Sequence, residues 1–144
     1  MKLLSLRLYS RAEIVRRLES KTSDQSSVNA VITWLEDQKF IDDQKFAVWF
    51  VESYSRTKPK GKMLLKRDLA QKGISPEIIE LALAGISDEA NLAVNLLDKK
   101  AGIWSGLPLR EYRLKASRFL YSRGFGWNTI ESAIKTGYNR LHVK

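Results

Sequence analysis

No motif in this 144-residue chain assembles side chains in a pattern that performs catalysis. The single histidine, His142, stands near the end of the chain, and there is no cysteine, which removes thiol and disulfide chemistry. The pair Gly61-Lys62 is not the end of a phosphate-binding loop, because Arg56 stands where the first glycine of that motif belongs. The Gly-Phe-Gly of residues 124–126 follows a helical pattern and reads as a helix break. Adjacent acids occur at Glu36-Asp37 and Asp42-Asp43, yet Asp42 is placed to cap a helix, so neither pair reads as an acid/base or metal site. Trp34, Trp49, Trp104 and Trp127 could stack on nucleic-acid bases, but Trp49 lies within the apolar run FAVWFV and core positions are the expectation for all four. No catalytic residue, cofactor or metal is expected, and the chain does not read as an enzyme.

What remains is charge. The formal net charge is +9, and it is unevenly distributed. Residues 1–21 sum to +4, 22–55 to −4, 56–73 to +6, 74–109 to −3 and 110–144 to +6. Such blocks favour an anionic partner: nucleic acid, a membrane surface or an acidic protein face. The densest block is RTKPKGKMLLKRDLAQKG, residues 56–73. Lys62 and Lys66 are four residues apart and share a helix face, an arrangement that costs a few tenths of a kcal/mol until an anion relieves it. A solvated face is the simpler reading for any one lysine; repetition argues for binding.

The elements that position these charges repeat. A shift of 51 residues superposes Arg16, Arg67 and Arg118, then Leu18, Leu69 and Leu120. It also aligns Lys21, Lys72 and Arg123, and Ile32, Leu83 and Ile134, while Gly73 falls on Gly124. Each copy reads as a helix pair, from apolar steps of four such as 14 and 18, then 28 and 32. Start signals agree: Ser10 with Glu13 forms a capping-box pattern, Ser75 precedes Pro76, and Ile74–Ile79 and Phe125–Ile130 form staples. The expected helices lie near 11–21, 24–37, 60–72, 75–84, 108–123 and 126–137. Residues 42–51 match 88–97 at a shift of 46 and add helices near 42–56 and 88–101, with the short KLLSLRL at the start as the first copy. No strand pattern is present.

The fold class expected is therefore all-α: three tandem three-helix repeats forming one elongated, curved unit. The repeats fall at about 1–39, 40–85 and 86–144. Each arginine of the 16/67/118 column lies two residues, about 200° of helix, before a core leucine and so faces outward. With no apolar run long enough to span a membrane and Arg7 and Arg11 interrupting the start, the reading is a cytoplasmic protein without a signal peptide.

Residues 40–83, FIDDQKFAVWFVESYSRTKPKGKMLLKRDLAQKGISPEIIELAL, closely resemble the central block of the RecX family. The features shared are Asp-Asp followed by Phe-Ala, the basic stretch, and the Lys-Gly-Ile turn. RLKASRFLYSRGFGWNTIESAI, residues 113–134, is similar to the last repeat of that family, and YSRAEIVRRL, residues 9–18, to its first. The first helix is expected to be short, beginning at Met1, without part of the N-terminal extension usual in that family. The resemblance implies a regulator, mainly an inhibitor, of the RecA recombinase in bacterial recombination and repair. Such a protein lodges in the groove of the recombinase filament on single-stranded DNA and suppresses ATP hydrolysis, coprotease action and strand exchange. It also implies three tandem three-helix repeats. Some members bind DNA directly, so single-stranded and duplex DNA join the recombinase as partners, with no membrane and a monomeric state expected. The residues expected to meet recombinase or phosphate are Arg16, Arg17, Lys58, Lys60, Lys62, Lys66, Arg67, Arg110, Arg113, Lys115 and Arg118. The alternative is a helical DNA-binding repressor, which would prefer one duplex sequence.

Overall fold

The computed structural model describes residues 8–142 except 57 and 87. The expected first helix, residues 2–8, falls almost wholly outside them. Among the described residues there are nine helices and no strand. They are α1 (Arg11–Glu19), α2 (Gln25–Asp37), α3 (Asp43–Arg56), α4 (Lys62–Gln71), α5 (Pro76–Leu83), α6 (Glu89–Asp98), α7 (Ala101–Trp104), α8 (Leu109–Ser122) and α9 (Trp127–His142).

The local chemistry explains most boundaries. At α1 the Ser10 hydroxyl accepts from the Glu13 N–H while the Glu13 carboxylate accepts from the Ser10 N–H, a complete capping box. Asp24 caps α2, and Asp42 accepts from the amides of Gln44 and Lys45 at the start of α3. Hydroxyls of Ser26 and Ser27 and their backbone amides bind the Asp24 carboxylate and hold its pKa below the usual range. That contribution to stability is present at neutral pH and is lost as acid protonates the group. Ser75, expected as a side-chain cap, makes no such bond; Pro76 alone opens α5 by fixing its first φ. α9 runs on to His142, beyond the expected end near 137, and α7 is an unforeseen single turn.

Three helices end in the same way. After α4 and α8 the chain turns through Gly73 (φ 81°) and Gly124 (φ 90°), with Ile74 N–H bonding Leu69 O and Phe125 N–H bonding Leu120 O. After α2 the same turn is made by Lys39 (φ 62°), with Phe40 N–H on Leu35 O. A Cβ in this left-handed region costs roughly 1–2 kcal/mol. Lys39→Gly should therefore raise stability by about 0.5–1 kcal/mol after the added chain entropy of glycine is offset. A denaturant midpoint that rises at constant slope checks this, and Lys39→Ala should leave the midpoint near wild type. The first copy carries Thr22 at the Gly73 and Gly124 position, and α1 ends without a left-handed residue, as a β-branched side chain requires.

The contacts resolve two compact units. One joins the residues up to Glu52 with Arg67–Gly85; the other joins Ser53–Lys66 with the chain from Ile86 on. In the first, Val28, Ile32 and Ile41 are buried, with Ile14, Val15, Leu18 and Leu35 packed against them. In the second, α6, α8 and α9 enclose Val94, Leu97, Tyr112, Leu120, Phe125, Ile130 and Ile134. Burying each such side chain contributes about 1.5–3 kcal/mol. Gly137 lets α9 approach this core: a Cβ there would stand 2.7 Å from the Tyr112 hydroxyl.

Each unit contains a version of one joint. In the first, the Ser10 hydroxyl donates to Lys72 O at 2.8 Å, and Ala12 covers Gly73. In the second, Gly61 N–H donates to Arg123 O at 2.7 Å, Met63 N–H donates to Gly124 O at 3.2 Å, and Leu64 covers Gly124. Ser10 and Gly61, like Lys72 and Arg123, are related by the 51-residue shift. The start of one repeat's middle helix thus sits on the end of the next one's, and backbone groups that a helix terminus leaves open satisfy each other. Glu89 completes the second joint, accepting from the Lys62 N–H and, at 3.0 Å, from the Thr129 hydroxyl.

Candidate anion-binding surface

The joint at Gly61 decides where the densest basic segment goes. By tying Gly61 to Arg123 O it lays residues 58–60 against the C-terminal end of α8. The end of α6 comes to the same place. The result is an open cup of about 470 Å³ whose walls carry Lys58, Lys60, Lys99, Lys100 and Arg123, and no carboxylate. Pro59, Leu96 and Phe119 supply its apolar lining. Aromatic rings hold several of the cations. Lys100 Nζ lies 5.2 Å and the Arg123 guanidinium 5.0 Å from the centre of the Phe119 ring, and Lys60 Nζ lies 4.0 Å from that of Tyr54. Phe119 is itself held edge-on by Trp104 at 5.9 Å.

The structure treats the eleven expected residues differently. Lys58 and Lys60 line the cup. Lys62 and Lys66 lie one turn apart on α4, the first half-buried and the second exposed. Arg67 is exposed, with Asp68 at 3.8 Å as a loose neighbour. Arg110, Lys115 and Arg118 are exposed along α8. Arg113, also on α8, is bound by both carboxylate oxygens of Glu131, at 3.2 and 2.9 Å, so its charge is largely compensated. Arg16 donates to Gln71 O at 3.2 Å, and Arg17 lies over the Tyr9 ring at 4.6 Å; both remain exposed. The three arginines of the repeated column therefore all leave the core.

Sequence reasoning did not single out Lys99, Lys100 and Arg123, which line the cup. It also misplaced two tryptophans. Trp49 and Trp104 are half-buried, but Trp34 is 56% and Trp127 63% exposed. Trp34 stands on the outer side of α2 against Phe40. Trp127 is the first residue of α9, where no preceding turn covers it. The paired acids have structural partners: Asp43 accepts from the Arg11 N–H at 2.8 Å and Glu36 pairs with the Arg11 side chain at 3.3 Å. Among the described residues no group of acids or histidine could hold a metal ion, and no helix is long and apolar enough to cross a membrane.

Repeated helix pairs that carry exposed basic residues on α4 and α8 have the build of a helical-repeat binding protein. Comparison narrows the class. Residues 42–83 match the model of the second three-helix domain of RecX, and residues 87–134 that of the third. The regulatory protein RecX of Chlorobium limicola is 37% identical over 134 residues, covering 93% of this chain and 84% of that protein. The RecX of Chlorobaculum tepidum is 33% identical over 94% of this chain and 83% of its own length. The crystal structure of RecX from Lactobacillus salivarius superposes with a TM-score of 0.84 at 28% identity, covering 94% of this chain and 90% of that one. The chain belongs to the RecX family of regulatory proteins.

Proposed function

We propose that this protein restrains a RecA-type recombinase, binding its filament on single-stranded DNA through basic surface and suppressing ATP hydrolysis, coprotease action and strand exchange. Family membership supports the choice of partner. The observation that carries the mode of action is the run of lysines and arginine on α4 with the exposed basic residues of α8. Arg16, Arg17, Lys58, Lys60, Lys62, Lys66, Arg67, Arg110, Lys115 and Arg118 are the contacts in this reading. Arg113, held by Glu131, contributes less than its neighbours. The opposing surface is acidic protein or phosphate within the filament groove, and binding there blocks movement of neighbouring subunits.

Titrating the protein into recombinase hydrolysing ATP on single-stranded DNA tests this. Hydrolysis should fall in a saturable way with added protein, and inhibition should weaken as salt rises past about 0.2 M because surface ion pairs are screened. Hydrolysis unchanged at a several-fold excess over recombinase would overturn the reading. A duplex-reading repressor would instead hold one DNA sequence at that salt in preference to others.

A further inference from the structure

The basic cup beside α8 is concave, and its charge is not balanced from within. Lys58, Lys99, Lys100 and Arg123 converge on it with no carboxylate in its lining, and no carboxylate among the described residues pairs with any of the four. The adjacent acid Asp98 is bound by Arg140 at 2.7 Å instead. Helix dipoles explain part of this gathering. Lys99 and Arg123 cap the ends of α6 and α8, where a cation is favoured. They do not explain Lys58 and Lys60, which the Gly61 joint holds ahead of the start of α4, where a cation is disfavoured. Like charges crowded into one concave place raise the local positive potential and concentrate anions.

The kind of anion follows from how these cations are spread. They meet at a single concavity of about 470 Å³ instead of following a track along the surface. That volume lies within the roughly 300–1,000 Å³ of small-ligand sites. A nucleic-acid strand sets a sugar between successive phosphates, so most of its charge would fall outside the cup. Linked phosphates share a bridging oxygen and bring several charges into the space of one site. Four of the five cations in the lining are lysines, point charges that suit dispersed phosphate oxygens, whereas a carboxylate is best met by the planar fork of arginine. The Phe119 ring already carries Lys100 and Arg123, so it is not a platform for a nucleobase. The same ring contacts hold both cations in place before a ligand arrives, which lowers the ordering cost of binding.

We propose that the cup is a binding site for a linear oligophosphate free in solution, recognised by its chain of phosphates and not by a nucleoside. Lys99, Lys100 and Arg123 contact the phosphate oxygens, and Lys58 adds a fourth charge from the segment ahead of α4. Two sources carry this group: inorganic polyphosphate and the triphosphate of a nucleotide. The site needs neither recombinase nor DNA, so this proposal and the recombinase reading can fail separately.

The experiment is isothermal titration calorimetry of the wild-type chain with inorganic tripolyphosphate, ATP, GTP and orthophosphate, at low salt and without magnesium. Tripolyphosphate should bind one to one and about tenfold or more tighter than orthophosphate, because linked phosphates make several charge-assisted contacts at once. ATP and GTP should match each other. ATP binding as tightly as tripolyphosphate admits both sources, and weaker ATP binding selects the inorganic chain; both results support the proposal. Lys99→Gln/Lys100→Gln/Arg123→Gln should lose about tenfold or more in tripolyphosphate affinity. A control, Lys21→Gln/Lys45→Gln/Lys135→Gln, removes the same charge at exposed positions outside the cup and should lose markedly less. Backbone amide resonances of the wild type that move during the titration should centre on Lys60, Lys99, Lys100 and Arg123, a readout that stands even where the triple variant does not fold. Tripolyphosphate no tighter than orthophosphate would overturn the proposal. So would equal losses in the cup variant and the control, or resonance shifts centred elsewhere. ATP far tighter than tripolyphosphate, or far from GTP, would overturn it by making the nucleoside the recognised part. Loss of oligo-dT binding in the cup variant, with tripolyphosphate held by neither protein, would overturn it too and assign the cup to nucleic acid.

Discussion

Gly61→Ala and Gly124→Ala are each expected to destabilise the protein by about 3 kcal/mol or more, well above the usual effect of a single substitution. A Cβ on Gly61 would lie 2.2 Å from Gly124 O and 2.5 Å from Phe125 N, both backbone atoms that no rotamer change can move aside. A Cβ on Gly124 would lie 2.2 Å from that of Leu64 and 2.7 Å from its amide nitrogen, and Gly124 also has φ +90°. Steric relief would pull Gly61 off Arg123 O and Met63 off Gly124 O, leaving open groups at two helix termini. Gly102 and Gly106 provide the contrast, with nothing within 4 Å of an added Cβ. Gly102→Ala and Gly106→Ala should be neutral or stabilising by up to about 1 kcal/mol. Thermal unfolding of the four variants decides the matter. Gly61→Ala with a midpoint like that of Gly102→Ala would show that the two chain segments do not meet as described. Because the same joint lays Lys58 and Lys60 beside Arg123, Gly61→Ala should also weaken binding of anions in proportion to its structural damage.

Helices were legible because local rules and tertiary packing agree along this chain. Apolar steps of four place Ile32, Leu69, Leu120 and Ile134 inside, and all are buried. Ser10, Asp42, Gly73 and Gly124 mark ends that hydrogen bonds then make. Where only the neighbourhood could decide, the reading failed. Ser75 had the right type at the right place, but Pro76 sufficed. Trp127 shares the periodicity of Ile130 and Ile134, yet it lies on a first turn with nothing above it. The left-handed turn at Lys39 carried no signal in the residue type: it shows only in the backbone, closed by bonds from Lys39 N–H to Glu36 O and from Phe40 N–H to Leu35 O.

The candidate site was half legible for a related reason. Charge summed along the sequence exposed the basic segment with Lys58 and Lys60, but hid Lys99 and Lys100 inside a block of net −3. Only the fold separates that pair from the acids around it. Arg123 stood in an aligned basic column with Lys21 and Lys72, so its signal was present. What gives it a neighbourhood is the backbone bond from Gly61, which no periodicity encodes. The compensation of Arg113 by Glu131, eighteen residues away, was equally a matter of how α8 and α9 pack.

The second large effect concerns function. Lys62→Glu/Lys66→Glu/Arg67→Glu inverts the charge of a helix face at a net change of −6 while leaving the core residues Leu65 and Leu69 untouched. Helicity should be retained, since Lys66 and Arg67 are exposed, where charge changes cost only tenths of a kcal/mol each, and the half-buried Lys62 opens the helix, where the dipole favours a carboxylate. Contacts to an anionic surface would become repulsions, each worth far more across a closed interface than in solvent.

The most direct measurement is ATP hydrolysis by recombinase on single-stranded DNA, titrated in parallel with wild type and this triple variant at low and moderate salt. The account predicts saturable inhibition by wild type and none by the variant at the same concentrations, with both proteins equally helical. Equal inhibition by the two would contradict it, placing the contact elsewhere than on the positive face of α4.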